Sequence, residues 1–311
     1  IADNDSKSRV HIRLDEDGSG LLVVNASRVV HLNPIAVQMA YYHLSKAEEK
    51  EAVRALSKLY KAPKNQISED YARISSQVDA LVDEQSGLCP VCDLGLEKHM
   101  PFSATLSAPY RMDLALTYSC NNNCSHCYNA RQRSHPDLDT AAWKRIIDRT
   151  WEVGIPHIVF TGGEPTLRPD LPELIAHAER NGQITGINTN GRRLKDGDFL
   201  KSLVDAGLDH VQITLESHDA AIHDSMVAAR GAWEDTIAGL RNVLAQRMYV
   251  MTNTTLLQIN SPYLRETLAF LGHEGVPTVG LNALIYSGKG STVGSGLAEE
   301  DLPPLLELAR E

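Results

Sequence analysis

No apolar run in the sequence approaches the roughly 20 residues that cross a bilayer, and no basic-then-apolar leader opens it. A cytoplasmic chain with no membrane partner is the expectation. Positive charge is also in deficit: 30 Lys and Arg stand against 40 Asp and Glu, a formal net charge of −10. Phosphate backbones need a basic face, so the balance argues against a nucleic-acid partner. Cysteine is scarce, with five in 311 residues, and the count is odd. A secreted disulfide framework spreads an even number along a small domain; these fall into two tight groups, Cys89/Cys92 and Cys120/Cys124/Cys127. Tight clusters in a cytosolic chain point to metal or redox chemistry.

Apolar residues at 42% and charged residues at 23% supply a sizeable core for a soluble protein longer than one ordinary domain. The chain starts at Ile1 rather than Met and stops at Glu311 inside an expected helix, so it is read as a segment of something longer. Residues 1–86 form a first unit. "RVHIRLDED" and "GLLVVNASRVVHLN" read as strands separated by Gly18-Ser19-Gly20, followed by helices beginning at Pro34, Glu48 and Ser68. The second helix places Val53, Leu56, Leu59 and Tyr60 on one face, and the third Tyr71, Ile74, Val78 and Leu81. This predicts a small α+β, winged-helix-like domain. Residues 87–109, with Cys89 and Cys92, read as a linker.

Residues 110–311 alternate strand and helix. Strands are expected in "RMDLALTY", "HIVFTGG", "ITGINTNG", "HVQITLES", "YVMTNTTL" and "TVGLNALIY". Trp143, Ile146, Ile147 and Trp151 mark the buried face of the first intervening helix, and Asp170 with Glu173 the capping box of the next. Helices at 233–246, 262–271 and from about 298 complete the pattern. Six β/α units predict an α/β fold, a partial (β/α)6 TIM-like barrel whose chemistry lies at the carboxyl ends of its strands. The cysteine triplet, "TGGEP" and "TLES" all fall at those ends.

The triplet lies in "SCNNNCSHCYN" at C-x3-C-x2-C spacing. Three thiolates fall one short of closing a tetrahedral zinc site, which His126 or a remote residue would have to complete. A four-iron cluster held by three thiolates leaves one iron open for a chelating ligand. C-x3-C-x2-C followed by Tyr128 after the first strand, with "GGEP" after the second, resembles the radical S-adenosylmethionine superfamily over residues 110–311. The resemblance implies a [4Fe-4S] cluster on Cys120, Cys124 and Cys127, with S-adenosylmethionine chelating the fourth iron. It implies reductive cleavage to a 5′-deoxyadenosyl radical that removes a substrate hydrogen, with the electron supplied by a flavodoxin or ferredoxin.

On that resemblance Thr161, Gly162, Gly163 and Glu164 approach the methionine moiety, the glycines by exposing backbone. Thr214 and Glu216 take the ribose, Asn188 faces the cofactor and Tyr128 lies by the adenine. Arg230 stands three residues beyond the place, occupied here by Val227, where the family has a carboxylate-binding arginine; "HD" at His223-Asp224 also fits the family run.

The first unit, with its run from Val29 to Leu44, resembles the PqqD-like recognition element of peptide-modifying enzymes. That resemblance implies a precursor peptide whose leader adds a strand to the sheet edge. The third helix carries Glu69, Asp70, Asp79, Asp83 and Glu84 against Arg73 alone, which disfavours DNA reading. The expected function is maturation of a ribosomal peptide by thioether or carbon–carbon cross-linking, epimerisation or excision. Two alternatives stay open: a radical enzyme of cofactor or small-molecule biosynthesis, and a non-catalytic iron–sulfur or zinc sensor. Cys89 and Cys92 are candidate ligands of an auxiliary cluster or zinc, with His99 or cysteines beyond Glu311 as partners, or else a redox-labile or unliganded pair.

Overall fold

The computed structural model describes residues 2–3, 8–25, 28–83, 107–129 and 136–309. Cys89, Cys92 and His99 lie outside the described residues. The chain divides into two compact units, Ile1–Tyr110 with Glu152–Pro156, and Arg111–Trp151 with His157–Glu311.

In the first unit, β1 (Ala2–Asp3), β2 (Ser8–Leu14), β3 (Gly20–Val24) and β4 (Arg28–Leu32) form an antiparallel sheet in chain order. The run 20–33 is therefore a hairpin and not one strand. Its turn begins at Asn25, whose positive φ of 50° suits Asn, and whose side chain accepts from Arg9 N at 2.6 Å. Helices α1 (Pro34–Leu44), α2 (Glu49–Tyr60) and α3 (Lys64–Val82) follow. Val10, Leu22 and Val24 pack with Val37, Ala40, Val78 and Leu81 in one core. Met39, Ala52, Val53, Leu56, Ile67 and Tyr71 form a second. Leu59, expected inside, is 63% exposed, because α2 buries the 52–53–56 stripe. α3 starts four residues before Ser68; Pro63 occupies its N-cap and accepts from Ile67 N at 3.1 Å.

In the second unit, β5 (Arg111–Thr117), β6 (His157–Gly162), β7 (Ile184–Thr189), β8 (His210–Thr214), β9 (Tyr249–Thr255) and β10 (Thr278–Asn282) run parallel in sequential order. This is the expected six-stranded α/β core. Its connections carry α4 (Thr140–Glu152), α5 (Leu171–Asn181), α6 (Gly197–Asp205), α7 (Ala220–Val227), α8 (Ala232–Leu244) and α9 (Leu264–His273), with α10 (Leu302–Leu308) last. His157 to Phe160 are buried without alternation, as a strand covered on both faces requires.

Three local expectations change. α4 buries Trp143, Ile147 and Thr150, an i, i+4, i+7 stripe that leaves Trp151 39% exposed. The capping box of α5 does not form. Asp170 instead accepts from Arg168 Nε at 2.9 Å and Thr140 Oγ1 at 2.6 Å, while Glu173 pairs with Lys144. α7 is an extra helix, and Asp224 near its end accepts from Trp233 N at 2.8 Å to cap α8.

At the start of the strands, His157 on β6 and His210 on β8 meet across β7, Nε2 to Nε2 at 2.7 Å. Gly186 makes this contact feasible, since a Cβ there would lie 2.0 Å from the His210 ring. One nitrogen must donate and the other accept, so a second proton has no place. Burial, followed by the Arg111 charge and opposed by Asp113, pushes His210 down to about 4. The folded value lies below the unfolded one near 6.5, so the stability His210 contributes is present above that pH and lost as pH falls toward 4. Urea midpoints between pH 7 and 4 are expected to show a loss of about 2–3 kcal/mol in the wild type that is absent from H210N.

Candidate functional site

The cysteine loop leaves β5 at Thr117 and is tied down by three other connections. Gly163 N donates to Thr117 O at 2.7 Å and Glu164 N to Ser119 O at 2.8 Å, which extends the β5–β6 pairing into the loop. Asn123 N and Ser125 N donate to Val227 O and Met226 O, both at 2.9 Å, at the end of α7. Lys289 N, beyond β10, donates to Cys127 O at 2.9 Å. The asparagines between the first two thiols are further tie points. Asn190 Nδ2 donates to Asn121 Oδ1 at 2.6 Å, and Arg192 Nη1 donates to Asn121 O at 2.8 Å and Asn122 Oδ1 at 2.9 Å. Lys289 Nζ donates to Asn123 Oδ1.

The loop closes one side of a cavity of about 530 Å³ at the strand ends. Cys120, Cys124 and Cys127 line it, together with Tyr128, Thr161, Gly162, Gly163, Glu164, Asn188, Thr214 and Glu216. Sequence segments 96 residues apart thus meet at one rim (120 to 216). Arg230 is not among the lining residues; it is exposed, and Val227 faces the cavity instead. Alternate polar side chains on the strands complete the wall: Gln212 on β8, Asn253 and Thr255 on β9 and Asn282 on β10. The signal for them was the period-two polar residue inside otherwise apolar parallel strands. Lys289 lay in a loop with no motif.

Both acidic residues of the motifs are committed to the scaffold. Glu164 is 1% exposed; its Oε1 accepts from Thr166 N at 3.1 Å, Thr166 Oγ1 at 2.6 Å and Thr189 Oγ1 at 2.7 Å. Its Oε2 accepts from Asn190 N at 2.7 Å. Burial pushes its carboxyl up, and these bonds oppose that rise. Glu216, also 1% exposed, is 2.9 Å from His126 Nε2 through Oε1 and accepts from Thr255 N at 2.8 Å through Oε2. His126 stands between two cysteines, so Glu216 anchors the loop to β9. His223 belongs to the same scaffold, its Nδ1 accepting from Glu216 N at 3.2 Å.

The donor set fits a cluster with separate iron corners. Among the described residues no three His, Cys, Asp or Glu side chains converge on a point for a single metal ion. A four-iron cluster would take one thiolate at each of three separate corners, so its ligands need not meet at a single point. Burial, then the charge of Glu216, then the neighbouring thiols push Cys124 up to about 12. A buried thiol set among negative groups ionises when a cation replaces its proton, which is the demand a metal satisfies. The glycine pair lets the end of β6 approach the backbone of the cysteine loop closely. A Cβ on Gly163 would fall 2.3 Å from Ser119 O, and Gly162 holds φ 136°, a conformation that disfavours side chains.

The amide of E164Q is isosteric but turns an NH2 toward a group that already donates. Urea unfolding of metal-free E164Q is expected to show a loss of about 2–3 kcal/mol.

Comparisons with known proteins place this geometry. The profile of the Radical SAM superfamily matches residues 114–281. The Fe-coproporphyrin III synthase of Methanosarcina barkeri (strain Fusaro / DSM 804) is 32% identical over 199 residues, 63% of this chain and 49% of that protein. The PqqA peptide cyclase of Xanthomonas campestris pv. campestris (strain B100) is 37% identical over 147 residues, 46% of this chain and 36% of that protein. The chain therefore spans half or less of the length of these curated relatives. Among solved structures, Streptococcus suis SuiB bound to the precursor peptide SuiA has the same fold, with TM-score 0.69 and 14% identity over 97% of this chain and 69% of SuiB. The profile match covers more than half of the sequence and includes the cysteine loop and the strand ends, and this chain belongs to the Radical SAM superfamily.

Proposed function

We propose that this radical enzyme modifies a ribosomally made precursor peptide, holding its leader on the first unit while another residue of the peptide reacts at the cavity. The observation that carries the reading is the position of β4. It is an edge strand of its sheet, Val29 on it is 37% exposed, and Arg28 Nη1 donates to Leu81 O near the end of α3. An extended peptide added there gains backbone hydrogen bonds, with side-chain contacts along α3 supplying selectivity. The likeness to SuiB, which runs through both units, and the PqqA peptide cyclase relatives support the reading.

In this reading Cys120, Cys124 and Cys127 hold the [4Fe-4S] cluster, and a flavodoxin or ferredoxin supplies the electron. A reduced cluster held there would supply the electron for cleaving the sulfonium C–S bond of S-adenosylmethionine, with methionine as the leaving group and a 5′-deoxyadenosyl radical as the product. The chain's own residues hold that ligand. Gly162 and Gly163 bring bare backbone to the methionine end, Thr214 and Asn188 offer hydrogen-bonding groups along its length, and Tyr128, half exposed, flanks the mouth. Glu164 and Glu216 act one step back, by fixing the loops that carry these groups. The walls exclude water from the reacting carbon.

A second reading follows from the match to the Fe-coproporphyrin III synthase: a porphyrin substrate. Coproporphyrin carries several carboxylates, whereas Lys289 is the one Lys or Arg among the described lining residues. Neutral amides and hydroxyls suit the uncharged backbone of a peptide better.

Two measurements test the proposal. Reconstituted and reduced wild type is expected to release 5′-deoxyadenosine from S-adenosylmethionine, and C124A to lose both iron and product by more than tenfold. With a synthetic peptide made from any short open reading frame found in the gene's neighbourhood, hydrogen exchange at Arg28–Leu32 is expected to slow, and the peptide's mass to change on turnover. Unchanged exchange at β4 together with an unaltered peptide would refute the leader-binding reading.

A further inference from the structure

We infer that Lys289 is a positioning residue for charge at the cysteine loop, its ammonium raising the potential at which the cluster accepts an electron. The inference rests on the cluster being held by Cys120, Cys124 and Cys127, and on nothing about the substrate. The backbone of Lys289 donates to Cys127 O at 2.9 Å, and its Nζ donates to Asn123 O at 3.3 Å and to Asn123 Oδ1. The side chain therefore runs along the loop from its third thiol back to the residue before its second. The residue is half-buried overall, while its ammonium makes both bonds at the exposed edge of the loop, so solvent and salt screen its charge in part.

Among the described residues no carboxylate pairs with Lys289, and both its side-chain acceptors are neutral oxygens of Asn123. Arg192, the other cation on the loop, differs. It shares Asp235 with Lys195, the Arg192 contact being 3.3 Å and the Lys195 contact 2.5 Å. A neutral donor would serve to hold Asn123, so tethering alone does not call for an ammonium. The surroundings are strongly negative: Glu164 and Glu216 are buried beside three thiols that become thiolates on metal binding. One-electron reduction adds a further negative charge there. A nearby cation favours the reduced state, and net charge is one of the factors that sets such potentials.

The test uses the full chain, reconstituted anaerobically, as wild type, K289Q and K289R. Iron and sulfide content are measured, and the midpoint potential is read by redox titration followed by paramagnetic resonance. K289Q is expected to hold a cluster whose midpoint is shifted to more negative potential, and K289R to restore the wild-type value. The midpoint comes from the shape of the titration, so partial loading leaves it measurable. An unmoved midpoint in K289Q overturns the inference, as does an equal shift in K289R. So does a K289Q chain that takes up no cluster while K289R does, which would make Lys289 a structural tether only. A wild type without a four-iron cluster removes the cluster assignment and this inference together, and that failure appears in the iron content. Failure of the peptide reading leaves the midpoints untouched.

Discussion

Two buried carboxylates hold the rim of the second unit together. Burying an ionised group is costly unless hydrogen bonds replace its water, and both glutamates have such replacements. Glu164 receives four bonds from the turn that follows β6 and the end of β7. Glu216 binds His126 in the cysteine loop and Thr255 on β9. Loops from separate strand ends are thereby fixed relative to one another. The asparagine side chains and the backbone of Asn123 and Ser125 add further ties to the same loop.

That arrangement changes how the motifs are read. "GGEP" and "TLES" suggest, through the family, side chains that touch a ligand. In this chain their acids stabilise the frame while also lining the cavity, beside Gly162, Gly163 and Thr214. The asparagines between the thiols behave likewise, each bonded to a neighbouring loop. The preorganisation has an electrostatic consequence. Burial first, and then the negative charge the frame gathers there, push the Cys124 thiol up and favour its protonated form.

The fold and most of the site were legible because their signals are local. Strands covered on both faces read as apolar runs, as at His157–Phe160, and three thiols within eight residues stand out in a cysteine-poor chain. The errors came where partners are distant. Asp170 and Glu173 have capping-box spacing, yet Arg168, Thr140 and Lys144 take their oxygens. Trp151 has the hydrophobicity of a core residue but falls one position off the stripe that α4 presents to the sheet. Arg230 sits near a family position in the sequence, but the end of α7 turns Val227 toward the cavity.

By itself, then, the sequence determined the α/β alternation, the cysteine triplet and its place with the other motifs at the strand ends, because periodicity and short spacing are properties of neighbouring residues. Tertiary structure alone decided that Glu164 and Glu216 serve as struts, that Gln212, Asn253 and Asn282 face the cavity, and that Lys289 lies along the cysteine loop. Those outcomes depend on which side chains meet across tens of residues. Hydrogen bonds and charge interactions act over a few ångströms of space, whatever the distance along the chain.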